Sequence, residues 1–324
     1  MKTVIIGCGA IGAHIACSLY EYGHEVFIVA KEDSYKKIIK SGLNIQVNEN
    51  KKILKKKNIR INTRFRIYKS IKHLRGVKID YLFIAVKLKD YNKKLIENVS
   101  SIVNNNTAII PPCTNIPFWW IHNFFSRELR KKKNNYFKIN NIIGMTMWLS
   151  SVKKSSNFVI VRHIQRGYPL KEINKRMKYK AKKLRLAFET TSKSPKVKDI
   201  YSELYTKSLN ALAFNMTALY FNQNNRRLKN NKQALSMIET IMIEGEKIMN
   251  LLKIHHSQNY NERIKQTLSS SVHTMSMLND YKKGKEIELK YLWNSFKFLF
   301  KLCKTEMIYT SQIYKEIIKK IKNS

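Results

Sequence analysis

Gly7, Gly9 and Gly12, within Gly7-Cys8-Gly9-Ala10-Ile11-Gly12, have the spacing of a loop that works on an anion. The first glycine permits a tight turn, the second lets backbone approach a charged group with no Cβ in the way, and the third lets a following helix pack closely. Amide N–H groups at the start of such a helix have no partner inside it, and the helix dipole adds to their pull on negative charge. Binding of a pyrophosphate is the chemistry this suits, with Cys8, Ala10 and Ile11 contributing backbone to the same loop.

The neighbouring segments are those such a loop needs. Thr3-Val4-Ile5-Ile6 reads as a strand, Ile11-Ile15-Leu19 as a helical stripe, and Val26-Phe27-Ile28-Val29, after the turn at Gly23-His24-Glu25, as a second strand. This is a βαβ unit for a dinucleotide. At the tip of the second strand, where an acidic side chain would hold the ribose hydroxyls of NAD, stands Lys31, followed by Glu32 and Asp33. A lysine suits a 2′-phosphate, so NADP(H) is expected, with the two acids as competitors. Lys2 and the apolar residues up to Ala16-Cys17 have the outline of a secretory leader, but His14 and the glycines interrupt it. The segment is therefore read as mature structure.

With 324 residues the chain can bury two cores, and 44% hydrophobic residues place it among globular proteins. Cys8, Cys17, Cys113 and Cys303 lack the spacing of a zinc site or disulfide framework, which fits a reducing cytoplasm. No stretch reads as a bilayer span, and no membrane partner is expected. The net charge of +40 invites a nucleic-acid reading, but the lysines are spread along the whole chain without a recognition motif. Solvated surface lysine is the expected explanation, with no nucleic-acid partner. His255-His256 and His273 lack an accompanying carboxylate cluster, and no metal is assigned.

Further along, residues 44–62 alternate polar and apolar and suggest short strands or a hairpin added to the sheet. Ile79–Val86 is a buried strand ending at Lys87, at the carboxyl end where open α/β sheets bind ligands. The strand at Ala108-Ile109-Ile110 runs into a loop held by Pro111, Pro112 and Pro117, which fixes Thr114 and Asn115 beside an aromatic cluster. Residues 142–148 and 158–161 read as further strands. From Asp199 the period becomes helical. The fold expected is α/β: an N-terminal Rossmann-like dinucleotide-binding domain over residues 1–195 and an all-helical C-terminal domain over 196–324. A substrate cleft is expected between them.

With these pieces placed, the chain resembles the ketopantoate reductases (2-dehydropantoate 2-reductases) over nearly its whole length. GCGAIG with GHEVFIVAK, SGLNI, FIAVK and IPFWW are similar to the family's cofactor-side segments. In the second half, Glu203-Leu204-Tyr205-Thr206-Lys207 is similar to its Trp-x-Lys helix, with Tyr205 in the tryptophan's place, and Ser276-Met277-Leu278-Asn279-Asp280 to its Ser-Met-x-Gln-Asp. The resemblance implies that Lys207 is the catalytic acid and Glu288 the functional glutamate, with Glu286 aligning instead if two residues are deleted. It implies substrate contacts at Asn215, Ser276 and Asn115, and cofactor contacts at Lys87, Thr114 and Ser150. Either Thr114 substitutes as a polar contact where the family has Asn-Gly, or Asn115 has shifted into the role. Ala211 and Lys290 replace an asparagine and an aspartate common in the family.

The implied reaction is NADPH-dependent reduction of 2-dehydropantoate to (R)-pantoate, a step toward pantothenate, by a cytoplasmic monomer or homodimer. The alternatives are reduction of another branched 2-keto acid, or NADP(H) binding without catalysis.

Overall fold

The computed structural model describes residues 1–49, 52–112, 115–117, 139–255, 258–269 and 274–323. The chain divides into two compact units, Met1–Cys113 with His122–Ile200 and Thr114–Ile121 with Tyr201–Ser324.

In the first unit the chain runs β1 (Lys2–Ile6), α1 (Ala10–Glu21), β2 (Glu25–Val29), α2 (Glu32–Ser41), β3 (Leu43–Glu49), β4 (Lys52–Ile59), β5 (Phe65–Tyr68), β6 (Tyr81–Ile84), α3 (Lys93–Ser100), β7 (Ala108–Ile110), β8 (Ile143–Met145), β9 (Trp148–Ser155), β10 (Phe158–Gly167), β11 (Leu170–Glu172) and α4 (Lys178–Thr191). Five strands form a parallel sheet in the order β5-β2-β1-β6-β7. The order reverses between β1 and β6, and in open parallel sheets ligands bind outside the carboxyl ends at such a point. The glycine loop leaves β1 there, and Lys87 follows β6.

Helix α1 is apolar almost all round: every residue from Gly12 to Leu19 is buried. A helix of that kind must be covered on both sides. The parallel sheet covers one side, and a second sheet, in the order β4-β3-β10-β9, packs against the same helix with α4. This corrects the expectation for residues 44–62. The hairpin β3–β4 does form, but β3 pairs with β10 in the second sheet instead of extending the first. The reason is the far face of α1, which Leu43, Ile45 and Val159 help bury in the unit's core. Strand β4 is the exposed edge of that sheet, and Lys55 and Lys57 lie 2.8 and 3.6 Å from Glu21.

The second core is helical: α5 (Ile200–Phe221), α6 (Asn225–Lys229), α7 (Lys232–Leu251), α8 (Tyr260–Ser269), α9 (Ser276–Lys282), α10 (Leu289–Leu302) and α11 (Ile308–Lys322). Leu209, Leu212 and Met216 of α5 pack there with Ile238, Ile241 and Met242 of α7 and with Leu292, Phe296 and Leu299 of α10. Helices α5 and α7 approach closely at Gly245, where an added Cβ would come 2.2 Å from Leu209 Cδ1. Among the described residues, no helix is long and apolar enough to cross a membrane.

Two histidines in the first unit are buried as neutral rings. His14 Nδ1 lies 2.6 Å from the Tyr168 hydroxyl, and His24 Nδ1 lies 2.9 Å from Thr3 Oγ1. Burial draws both down to about 4, from an ordinary 6.5. Between those values the unfolded chain binds more protons than the folded one. Stability is therefore full above pH 6.5 and declines as pH falls toward 4. Each histidine is expected to forfeit up to about 2 kcal/mol by pH 5. Urea denaturation at pH 7.5 and 5.0 measures this, and equal stability at the two values would refute it.

Candidate active site

Two of the three loop glycines are required by packing and one by access. Gly7 has φ of 102°, and a Cβ on it would come 2.5 Å from the Ala85 carbonyl oxygen at the end of β6. A Cβ on Gly12 would come 2.0 Å from the Gly7 oxygen, so α1 can begin this close to the strand only with glycine there. At Gly9 a Cβ would meet nothing within 4 Å. Gly9 is the N-cap of α1, no side chain caps the helix, and its first turn carries no acid. An uncapped helix start facing open space, on a loop with no side chain in the way, fits the phosphates of a dinucleotide. Cys8 is buried and its thiol is pushed up to about 11 by that burial, so it contributes backbone and not a thiolate. Ala10 and Ile11 form the first turn of α1.

Lys31 is exposed as the N-cap of α2. One of the two competing acids is engaged: Glu32 Oε1 is 3.0 Å from Lys69 Nζ and 3.3 Å from Lys36 Nζ, and its hydrogen bond to Lys69 leads the effects that lower its pKa. Lys36 and Lys69 thus flank one carboxylate, next in sequence to Lys31. Lys87 is exposed at the carboxyl end of β6, where it precedes a short turn of 3-10 helix at Leu88–Asp90. Ser150 is partly buried in β9, paired with His163 of β10. Thr114 lies outside the described residues.

The residues named in the helical unit gather on α5 and on the starts of α9 and α10. Tyr205 is fully buried, donates to the Gly245 carbonyl at 2.8 Å and packs edge-on against Phe296. That anchor fixes the turn of α5 carrying Lys207. Lys207 is partly buried, and loss of hydration draws its ammonium down from 10.5 to about 8. Eight residues further on, about 12 Å along the axis, Asn215 donates to the Ala211 carbonyl at 2.7 Å. Its amide oxygen accepts the Met277 N–H at 3.2 Å, which secures the beginning of α9, where Ser276 stands exposed.

Asn115 has a parallel part at α10. Its side-chain oxygen accepts from the Ile116 N–H at 2.7 Å and from Ser295 Oγ at 2.5 Å, and its Nδ2 lies 3.4 Å from the Tyr291 carbonyl. Glu288 is the N-cap of that same helix and is partly buried, whereas Glu286 is exposed. Sequence reasoning placed Asn115 beside a ligand but missed its tie to Ser295, and it missed altogether Lys69, on Glu32, and Lys153, on the Cys8 carbonyl. No local signal marks these residues, because their partners are remote in the chain. Among the described residues, no group of three or more His, Cys, Asp or Glu side chains is placed to hold a metal ion.

Gly12→Ala is expected to destabilise the protein by several kcal/mol through overpacking against the Gly7 carbonyl, while Gly9→Ala leaves its unfolding free energy unchanged. Asn115→Ala is expected to cost about 1–3 kcal/mol by orphaning buried partners. Chemical denaturation of the three variants checks both expectations; a Gly9→Ala variant as unstable as Gly12→Ala would contradict the division of roles.

Comparison with known proteins agrees with this architecture. Residues 3–112 match the family model described as ketopantoate reductase PanE/ApbA, and residues 199–320 match the model of its C-terminal part. A 2-dehydropantoate 2-reductase of Mesorhizobium japonicum is 22% identical over 93% of this chain and 92% of its own length. Among solved structures, a 2-dehydropantoate 2-reductase from Geobacter metallireducens superposes with a TM-score of 0.82 at 16% identity, covering 98% of this chain and 99% of its own. A D-mandelate dehydrogenase in complex with NADH and anilino(oxo)acetate superposes at 0.79 with 19% identity, covering 100% and 99%. At these identities the structures speak for the fold alone. Because family models match in both units, the chain belongs to the ketopantoate reductase family and is an oxidoreductase of that type.

Proposed function

We propose that this protein reduces 2-dehydropantoate to (R)-pantoate with NADPH, the first unit holding the dinucleotide and the helical unit supplying the proton. The observation that carries the reading is Lys207, a partly buried lysine drawn to about 8 by loss of hydration, within the stretch 199–320 that matches the family's C-terminal model and on a segment that resembles the family's Trp-x-Lys helix. A general acid works best with a pKa close to the working pH.

Reduction of a 2-keto acid adds a hydride to the carbonyl carbon and a proton to its oxygen. A reduced nicotinamide, when bound, supplies the hydride. The Lys207 ammonium stabilises the negative charge gathering on the carbonyl oxygen and transfers its proton there, completing the hydroxyl and leaving a neutral amine. Glu288 is assigned to orient the substrate and pair with Lys207. Ser276 is the exposed hydroxyl for a polar group of the substrate, and Asn215 acts with it by holding the start of α9. Gly7, Gly9, Gly12 and the amides of Cys8, Ala10 and Ile11 hold the phosphates, with Lys87, Ser150 and Thr114 bordering the rest of the cofactor. Lys31 and Lys69 favour a 2′-phosphate, since the neighbouring Glu32 is already occupied by ammonium groups.

A second reading, reduction of a different branched 2-keto acid, is favoured by Asn115, whose side-chain oxygen is committed to Ile116 and Ser295. Ala211 and Lys290 point the same way as departures from the family.

NADPH oxidation with purified protein, 2-dehydropantoate and a panel of branched 2-keto acids separates these readings, and turnover confined to other acids selects the second. Activity is expected to fall as pH rises through about 8, because Lys207 must be protonated. Lys207→Ala is expected to lose at least about a hundredfold in turnover while retaining NADPH affinity; undiminished turnover would remove Lys207 from the mechanism. Combining Lys31→Ala with Lys69→Ala is expected to weaken NADPH about tenfold with little effect on NADH, and equal losses for both cofactors would contradict a 2′-phosphate site.

A further inference from the structure

Lys153 of β9 reaches the glycine loop from the second sheet. Its Nζ donates to the Cys8 carbonyl oxygen at 2.8 Å and to Ser34 Oγ at 2.8 Å. One ammonium thereby joins three segments distant in sequence: the loop after β1, the first turn of α2, and β9. Both acceptor residues are buried, each 6% exposed. Hydrogen bonds with a charged donor are roughly twice as strong as neutral ones, so this contact sets the loop's conformation more firmly than a hydroxyl would.

The stereochemistry of the peptide bond gives the contact a consequence. The unit between Cys8 and Gly9 is planar and trans, so its C=O and N–H project to opposite sides. With the Cys8 oxygen held on Lys153, the Gly9 N–H must face the other way. Gly9 is the loop position where an added Cβ would meet open space. We propose that Lys153 is a positioning residue for the cofactor's phosphates: it clamps the Cys8 carbonyl so that the Gly9 amide is presented to the anion, and it sets a positive charge behind the loop. Through Ser34 the same ammonium steadies the start of α2, whose N-cap is Lys31. The loop that faces the pyrophosphate and the tip that faces the 2′-phosphate therefore share one brace. This inference rests on the dinucleotide reading of the first unit.

The test is titration of NADPH, and of 2′-phospho-ADP-ribose, which lacks the nicotinamide, into wild type, Lys153→Met and Lys153→Arg. Thermal melts of the cofactor-free proteins are recorded alongside. Lys153→Met is expected to weaken both ligands about tenfold and to melt within about 2 °C of wild type, since Lys153 is not part of the unit's hydrophobic core. Lys153→Arg is expected to restore most of the affinity. Binding by Lys153→Met within twofold of wild type, or no recovery with arginine, overturns the clamp. Should Lys153→Met melt early, Ser34→Ala decides: near-wild-type binding supports the loop clamp, and a loss equal to that of Lys153→Met shows a brace of α2 alone. Absence of NADPH binding by wild type overturns the dinucleotide reading and this proposal with it.

Discussion

The close approach of Gly12 to the Gly7 carbonyl is the constraint from which the first unit follows. A helix starting that near its strand admits no side chain at the contact, and a Cβ there would sit 2.0 Å from the oxygen. Because α1 begins deep, it is buried along its length, and a helix apolar on all sides needs cover on all sides. The second sheet and α4 supply that cover. They also bring β9, and with it Lys153, alongside the loop, so the packing requirement of one helix delivers a residue to it.

Lysine is abundant here, and its chemistry depends on placement. Lys207 is held where hydration is poor and its ammonium is drawn to about 8. Lys153 donates to a buried carbonyl and hydroxyl. Lys69 and Lys36 hold Glu32. The remaining excess in the +40 total is largely solvated surface, where individual charges contribute little to stability.

The glycine loop, four of the five parallel strands and the long C-terminal helices could be read from the sequence because their signals are local: short apolar runs, helical period and glycine spacing; β5, with its alternating Phe-Arg-Ile-Tyr, was missed. The sheet to which β3 and β4 belong could not be read, because pairing with β10 is a choice between partners distant in the chain. The same holds for the hydrogen bonds that organise the site. Ser295 and Asn115 are separated by 180 positions, and Lys153 and Cys8 by 145. Lys153 stands beside Lys154 in an ordinary-looking pair, and only the fold tells them apart. Lys207 is equally anonymous by composition; the resemblance of its segment singled it out, and burial supplied the physical reason.

The lysines of β4 bear on how copies of this protein meet one another. A sheet edge offers unpaired backbone groups to any passing strand, and exposed apolar residues on it invite aggregation. On this edge Ile53 and Leu54 are 51% and 62% exposed, yet the strand Lys-Ile-Leu-Lys-Lys-Lys-Asn-Ile carries four lysines in eight residues. Two molecules approaching edge to edge would bring two rows of ammonium groups together in the low-dielectric space closing between them. The lysines of β4 thus act as a colloidal safeguard, keeping an open β-edge from becoming a template.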